Sequence, residues 1–131
     1  GGKVLSGEDV TSACIREARE EIKVEIDRKI LQKLAELHFS FDDNPDWEQK
    51  CSVFVADLWQ NEPKETEEMR PRWFKTNALP FQEMWVDDPF WLPHVLDGKK
   101  IKARFTFSEN GAALSEKEVI FMGLLPNRLL R

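Results

Sequence analysis

The stretch Gly2-Lys-Val-Leu-Ser-Gly7-Glu8-Asp9-Val-Thr-Ser-Ala-Cys-Ile-Arg16-Glu17-Ala-Arg-Glu20-Glu21-Ile-Lys-Val24 decides how the rest of the chain is read. Asp9 stands just before an apolar periodic run, where its carboxylate can accept from the unpaired amides of a first helical turn. The spacing predicts a helix over Val10 to Ile22, with Val10, Ala13, Cys14, Ala18 and Ile22 on one buried stripe. At about 100° per residue, Glu17 and Glu21 fall inside that stripe and Glu20 lies at its edge. A solvated acidic face would point the other way.

Glu17 is three and four residues from Glu20 and Glu21, so the three acids crowd one patch. Like charges at that spacing repel, and burying them is costly unless something compensates. A divalent cation is the natural compensation. Carboxylates with backbone carbonyls make an all-oxygen donor set, which suits Mg2+ or Mn2+ better than zinc. Arg16 is placed to pair with Glu8 and brace the loop against the helix. Gly1, Gly2 and Gly7 allow a tight turn and a close approach of backbone to phosphate.

The chain has 131 residues, enough for one domain with a proper core. A net charge of −5 and the lack of a basic patch with interleaved aromatics argue against a nucleic-acid polymer as partner. They leave an anionic nucleotide open, since a metal can bridge acids to phosphates. Two cysteines, Cys14 and Cys51, are too few for a disulfide framework and have no zinc-type spacing, which fits a reducing intracellular compartment. The longest apolar run, Val119 to Pro126, is too short to span a membrane, and no signal peptide is visible.

Along the chain, Leu37, Phe39 and Phe41 alternate with His38 and Ser40 as a half-buried strand, and Asp42 to Asp46 is turn chemistry. Gln49 to Trp59 reads as a second strand, apolar enough on both faces to be central. The two would pair as a hairpin. Gln60 to Glu68 is a polar loop, Arg72 to Lys75 a short strand, and Asn77 to Phe81 a turn. Asp88 followed by Pro89 predicts an N-cap and a helix carrying Phe90, Trp91, Val95 and Leu96. Ile101 to Phe107 alternates as a strand and returns through the Asn110-Gly111 turn into a strand near Ala113 to Phe121. This order favours an α+β fold, an α/β/α sandwich-like arrangement with a mixed sheet.

Trp85-Val86-Asp87-Asp88, with Trp91 after it, is the second constellation. Adjacent aspartates at a helix start have an ordinary reading: one caps and the other favours the helix dipole. The tryptophan adds a flat stacking surface beside hydrogen-bonding groups, which is what a purine needs. Neighbouring carboxylates in a partly apolar pocket need not both ionise. One can keep its proton and donate.

The opening stretch resembles the Nudix box. The further run Glu68-Met69-Arg70-Pro71, Trp73-Phe74, Leu79-Pro80-Phe81 and Met84-Trp85-x-Asp87-Asp88 with Trp91 is similar to the animal MutT homologues, the oxidised purine nucleoside triphosphate hydrolases of the Nudix superfamily. The resemblance covers Gly1 to about Phe107, with weaker similarity to about Val119. It implies a Nudix fold, with residues 1–119 as a hydrolase domain incomplete at its N-terminus and 120–131 as a tail. A strand of the central sheet precedes the box in that family. Its absence implies an open edge prone to self-association, where the complete protein would be a monomer. The implied metal ligands are the Gly1 carbonyl, Glu17, Glu20, Glu21 and Glu68, with Glu20, Glu21 or Glu68 as general base. Gly2 and Lys3 would approach the substrate, Trp85 would stack on the base, and Asp87 and Asp88 would read its edge. Phe39, Phe41, Trp91 and Phe107 would line the base pocket.

The implied activity is Mg2+-dependent hydrolysis (Mn2+ as a substitute) of 8-oxo-dGTP and 2-hydroxy-dATP to monophosphate and pyrophosphate, cleaning the nucleotide pool. The cytoplasm is the expected site, with mitochondrial or nuclear pools also open. The partner is a small-molecule nucleotide, with neither nucleic-acid polymer nor membrane. An impaired variant that binds nucleotide without turnover is the alternative. Three departures from the family pattern are Lys23 in place of the glycine after the glutamates, Ala18 in place of a larger aliphatic, and Val86 in place of proline. If Lys23 is left-handed, it costs about 1 kcal/mol against glycine.

Overall fold

Asp9 caps as its position predicts. Its Oδ1 accepts from the Ser12 amide at 2.7 Å, and α1 runs over Val10–Ile22. The structure is a computed structural model and describes residues 2–124. The helix stops at Lys23, which adopts φ 63°, ψ 26° and sends its amide back to the Arg19 carbonyl. Lys23 is therefore left-handed, the condition under which it is costly against glycine. Of the expected apolar stripe, Ala13 is buried, Cys14, Ala18 and Ile22 are half-buried, and Val10 is exposed. Val10 opens the first turn, where no preceding turn covers it.

The chain divides into two units, Gly1–Gln32 with Phe54–Trp73, and Lys33–Val53 with Phe74–Arg131. In the first, residues 54–73 are tied to the end of α1. Glu25 and Gln60 exchange both backbone hydrogen bonds at 3.0 and 2.8 Å, and the Lys64 amide reaches the Ile22 carbonyl. The expected strand over Arg72 to Lys75 does not form. Pro71 lacks a donor, and the exposed Trp73 ring lies against Trp59 with centroids 5.6 Å apart.

The sheet follows the order β2-β1-β3-β4, where β1 is Gln32–Phe41, β2 Gln49–Val55, β3 Lys99–Ser108 and β4 Ala113–Leu124. β1 and β3 are parallel, with Leu37 opposite Ala103, Phe39 opposite Phe105 and Phe41 opposite Phe107, while β3 and β4 are antiparallel. A mixed sheet in an α+β fold is what the element order predicted. In the second unit, alternate residues of β1 and β3 turn one face into the core, made of Ala35, Leu37, Ile101, Ala103, Phe105 and Phe107 with Val95 from α2 (Asp88–Leu96).

β2 corrects the expectation of a central strand. It stops at Val55, lies at the edge of the four-stranded sheet among the described residues, and is exposed over its first three residues. β4 continues to Leu124, so the boundary expected at 119/120 falls inside a strand. Gly1 and residues 125–131 of the expected tail lie outside the described residues. No described helix is long and apolar enough to cross a membrane.

Candidate active site

In the first unit, α1 fixes three carboxylates at three depths. Glu21 is buried at 8 % exposure, the Glu17 side chain is 16 % exposed, and that of Glu20 is 48 % exposed. This is the gradient that helical phase alone predicted. Burial pushes the Glu21 carboxyl up, and its hydrogen bond with Glu17 adds to the shift. That same hydrogen bond, followed by Arg16, holds Glu17 down. Opposite shifts in two neighbouring acids are the response expected of like charges that cannot both ionise cheaply.

Arg16 braces the patch. Its Nε donates to Glu8 Oε2 at 2.8 Å and its Nη2 to Glu8 Oε1 at 3.1 Å, the two-pronged pairing expected from the sequence. Nη2 also reaches the Lys3 carbonyl at 2.9 Å, while Nη1 holds Glu17 and Glu20 at 2.9 and 3.1 Å. Glu8 Oε1 accepts from the Leu5 amide at 3.0 Å, which closes the loop. Gly2 is needed for a specific reason: a Cβ there would run into the Glu17 carboxylate.

Glu68 comes from the later loop, and a residue not singled out in the sequence ties that loop to the helix. Thr66 Oγ1 donates to the Glu21 carbonyl at 2.6 Å and accepts from the Glu68 amide at 3.2 Å. A threonine two residues before an acid is a local signal for such a turn. Its partner on α1 lies 45 residues away, beyond any local pattern. Among the described residues, no three acids are grouped in a form that could hold a metal ion. Arg16 occupies two of the carboxylates instead. The donor set still fits a hard divalent cation: all oxygen, with a glycine leaving room at Glu17. Gly1, the remaining expected ligand, lies outside the described residues.

In the second unit, four of the five aromatic residues named from the sequence, Phe39, Phe41, Phe107 and Trp85, form a continuous group, while Trp91 bonds to Asp87 instead. Phe41 stacks on Phe107 at 5.1 Å, Phe39 lies 5.7 Å from Phe107, and the Trp85 ring meets Phe107 edge-on at 5.7 Å. Phe105, not singled out as a site residue, joins through Phe39 at 6.2 Å. Phe107 is buried, whereas 61 % of Trp85 is exposed.

The aspartates depart from the expected cap. α2 begins at Asp88, so Asp87 precedes it, but Asp87 has helical φ/ψ and makes no side-chain cap bond. Its Oδ2 instead accepts from Trp91 Nε1 at 2.8 Å, and the residue is only 2 % exposed. Asp88 is pushed up to about 6 by burial, then by the charge of Asp87 and a hydrogen bond with it. Two adjacent acids, one bound to an indole and the other with raised proton affinity, can present both an acceptor and a donor.

The NUDIX domain family model matches residues 1–95. The chain is 36% identical over 115 residues to a mouse (Mus musculus) protein named oxidized purine nucleoside triphosphate hydrolase, covering 88% of this chain and 72% of the mouse protein. It is 35% identical over 117 residues to a zebrafish (Danio rerio) protein of the same name, covering 89% of this chain and 73% of that protein. Among solved structures, the crystal structure of a mutator MutT protein from Bacillus halodurans matches with a TM-score of 0.80 at 21% identity, covering 91% of this chain and 78% of the other. That last likeness concerns the fold.

Proposed function

The chain belongs to the NUDIX family and is a Nudix hydrolase, and from that premise we propose that its substrates are oxidised purine nucleoside triphosphates, 8-oxo-dGTP and 2-hydroxy-dATP, cut to monophosphate and pyrophosphate. Family membership brings a general use of divalent cations. The ion proposed here is Mg2+, held by Glu17, Glu20, Glu21 and Glu68 with the Gly1 carbonyl. When bound, it would neutralise phosphate charge and make water a better nucleophile. Glu21 supplies a buried carboxyl, Glu17 is oriented by Arg16, and Thr66 holds the Glu68 loop to the helix. Water adds to a phosphorus of the triphosphate, its proton passes to a base drawn from Glu20, Glu21 and Glu68, and pyrophosphate leaves. Gly2 and Lys3 approach the phosphates through backbone and side chain.

The base is assigned to the other group. Trp85 stacks on the purine, Asp87 and Asp88 read its edge, and Phe39, Phe41, Trp91 and Phe107 give the pocket its apolar wall. One observation carries this reading: Asp87 is not consumed as a helix cap, and Asp88 has a raised proton affinity beside it. An oxidised purine differs from its parent in hydrogen-bonding groups, and an acceptor next to a donor detects such a difference.

The test is pyrophosphate release from 8-oxo-dGTP with Mg2+, comparing Glu21→Gln with the parent. The reading expects a loss on the order of 10²-fold, the scale of a lost metal ligand. Equal rates would reject the acidic patch as the metal-binding group.

A further inference from the structure

Between β3 and β4 the chain makes a turn with three successive residues in the left-handed region: Glu109 at φ 50°, Asn110 at 57° and Gly111 at 90°. Two of these are not glycine, and such residues persist only where their surroundings hold them. The hold is visible. Asp43, from the loop between β1 and β2, accepts the Asn110 amide on its Oδ2 at 3.0 Å. That bond brings Gly111 against Trp85: a Cβ on Gly111 would sit 3.2 Å from Cζ3 and 3.9 Å from Cη2 of the indole. The ring also meets the edge of Phe107, with centroids 5.7 Å apart.

We propose that Asp43 and Gly111 are positioning residues for Trp85, setting the angle at which the indole meets a purine and hence the selectivity for the oxidised base. The proposal rests on the assignment of Trp85 as the stacking surface. Trp85 is 61 % exposed, and among the described residues its ring meets Phe107 and this turn. Glycine at position 111 admits the ring to its present place, and the Asp43 carboxylate keeps the turn from drifting away. An added methyl at Gly111 meets the far edge of an exposed ring that is free to yield. Because Gly111 holds φ 90°, alanine there also strains the turn, so the expected response is a displaced indole together with a lowered Tm. Stacking on an aromatic face depends on coplanarity and offset, so a tilted indole weakens binding of the base while leaving the phosphate chemistry alone.

The experiment measures kcat and KM for 8-oxo-dGTP and dGTP in the Mg2+-loaded protein and in Gly111→Ala, Asp43→Ala, Trp85→Ala and the two double variants containing Trp85→Ala. A thermal melt of each accompanies the kinetics. Gly111→Ala should raise KM for 8-oxo-dGTP roughly fivefold with kcat changed by less than about twofold, lowering the preference for the oxidised nucleotide. Asp43→Ala should act in the same direction by about twofold. Both effects should vanish once Trp85 is alanine, because a positioning residue has nothing left to position. If Gly111→Ala does not melt cooperatively, the Asp43→Ala cycle decides alone. Effects that persist undiminished without Trp85, or that lower kcat equally on both nucleotides, would overturn the proposal. If Trp85→Ala cuts the preference while the other two substitutions leave it untouched, the positioning role fails and the stacking assignment stands. If Trp85→Ala itself leaves the preference unchanged, the stacking assignment fails as well.

Discussion

The acidic patch on α1 and the aromatic group around Trp85 solve opposite problems with the same side chain, a carboxylate beside another carboxylate. At Glu17 and Glu21 the two acids sit a helical turn apart, share a hydrogen bond, and are flanked by a guanidinium that holds Glu17. At Asp87 and Asp88 the acids are sequence neighbours, and the flanking donor is the neutral indole of Trp91. The proposed cation site and the proposed base-reading site differ in what surrounds the pair. In both pairs burial raises one acid, Glu21 and Asp88; beside the first a guanidinium holds Glu17 down, and beside the second the charge of Asp87 raises Asp88 further. Substitutions in the first group should therefore lower turnover on every nucleotide alike, and those in the second should change which nucleotide is preferred.

The largest expected effect belongs to the first group. Glu17→Gln should reduce kcat on the order of 10²-fold on 8-oxo-dGTP and dGTP equally, since each loses the same charge compensation. Steady-state kinetics on both nucleotides checks it, and a change in the ratio between them would blur the division. Next, Asp87→Ala should lower the preference for the oxidised base by about tenfold, the scale of one lost buried hydrogen bond, with the Mg2+ concentration for half-maximal rate unchanged.

A pH series sharpens the same division. Asp88 titrates near 6 in the folded chain against a reference value of 3.8. It carries a proton below that pH and accepts only above it. The relative kcat/KM for 8-oxo-dGTP and 2-hydroxy-dATP should therefore shift as pH passes through about 6, and Asp88→Asn should flatten the profile. The stability consequence has a definite sign. Between the reference value and about 6 the folded chain binds the extra proton, so this group's contribution to stability falls as pH rises through that window. A melting series that rises there in the parent relative to Asp88→Asn would contradict it. The smallest effect is purely structural. Lys23→Gly relieves a left-handed lysine and should stabilise by about 1 kcal/mol, raising Tm by about 3–5 °C without touching either rate or preference.

The two groups also differ in how far they were legible in the sequence. α1, its Asp9 cap and the burial of Glu17 and Glu21 relative to Glu20 follow from spacing within a few residues, and the structure reproduces each. The tether through Thr66 and the close approach of Gly2 to Glu17 depend on groups that meet only after folding. In the second group, the alternation of Phe39, Phe41 and Phe107 marked strands that do pair, while their roles came from resemblance to a family. The cap assigned to Asp88 falls one residue earlier, at Asp87, whose carboxylate is taken by the Trp91 indole, a partner that a helix-start pattern does not reveal. β2 was misjudged because apolar residues on both faces describe a central strand and a partly covered edge equally well. Asp43 and Gly111 stood in plain turn sequences. Only the turn's meeting with Trp85 gives them a further meaning.

The most direct test of the central claim is pyrophosphate release by the parent chain from 8-oxo-dGTP and dGTP side by side, with Mg2+ and again with a chelator. The account predicts release that requires the metal on both nucleotides and favours the oxidised one by about tenfold or more. Release that survives the chelator, or equal rates on the two nucleotides, would contradict it.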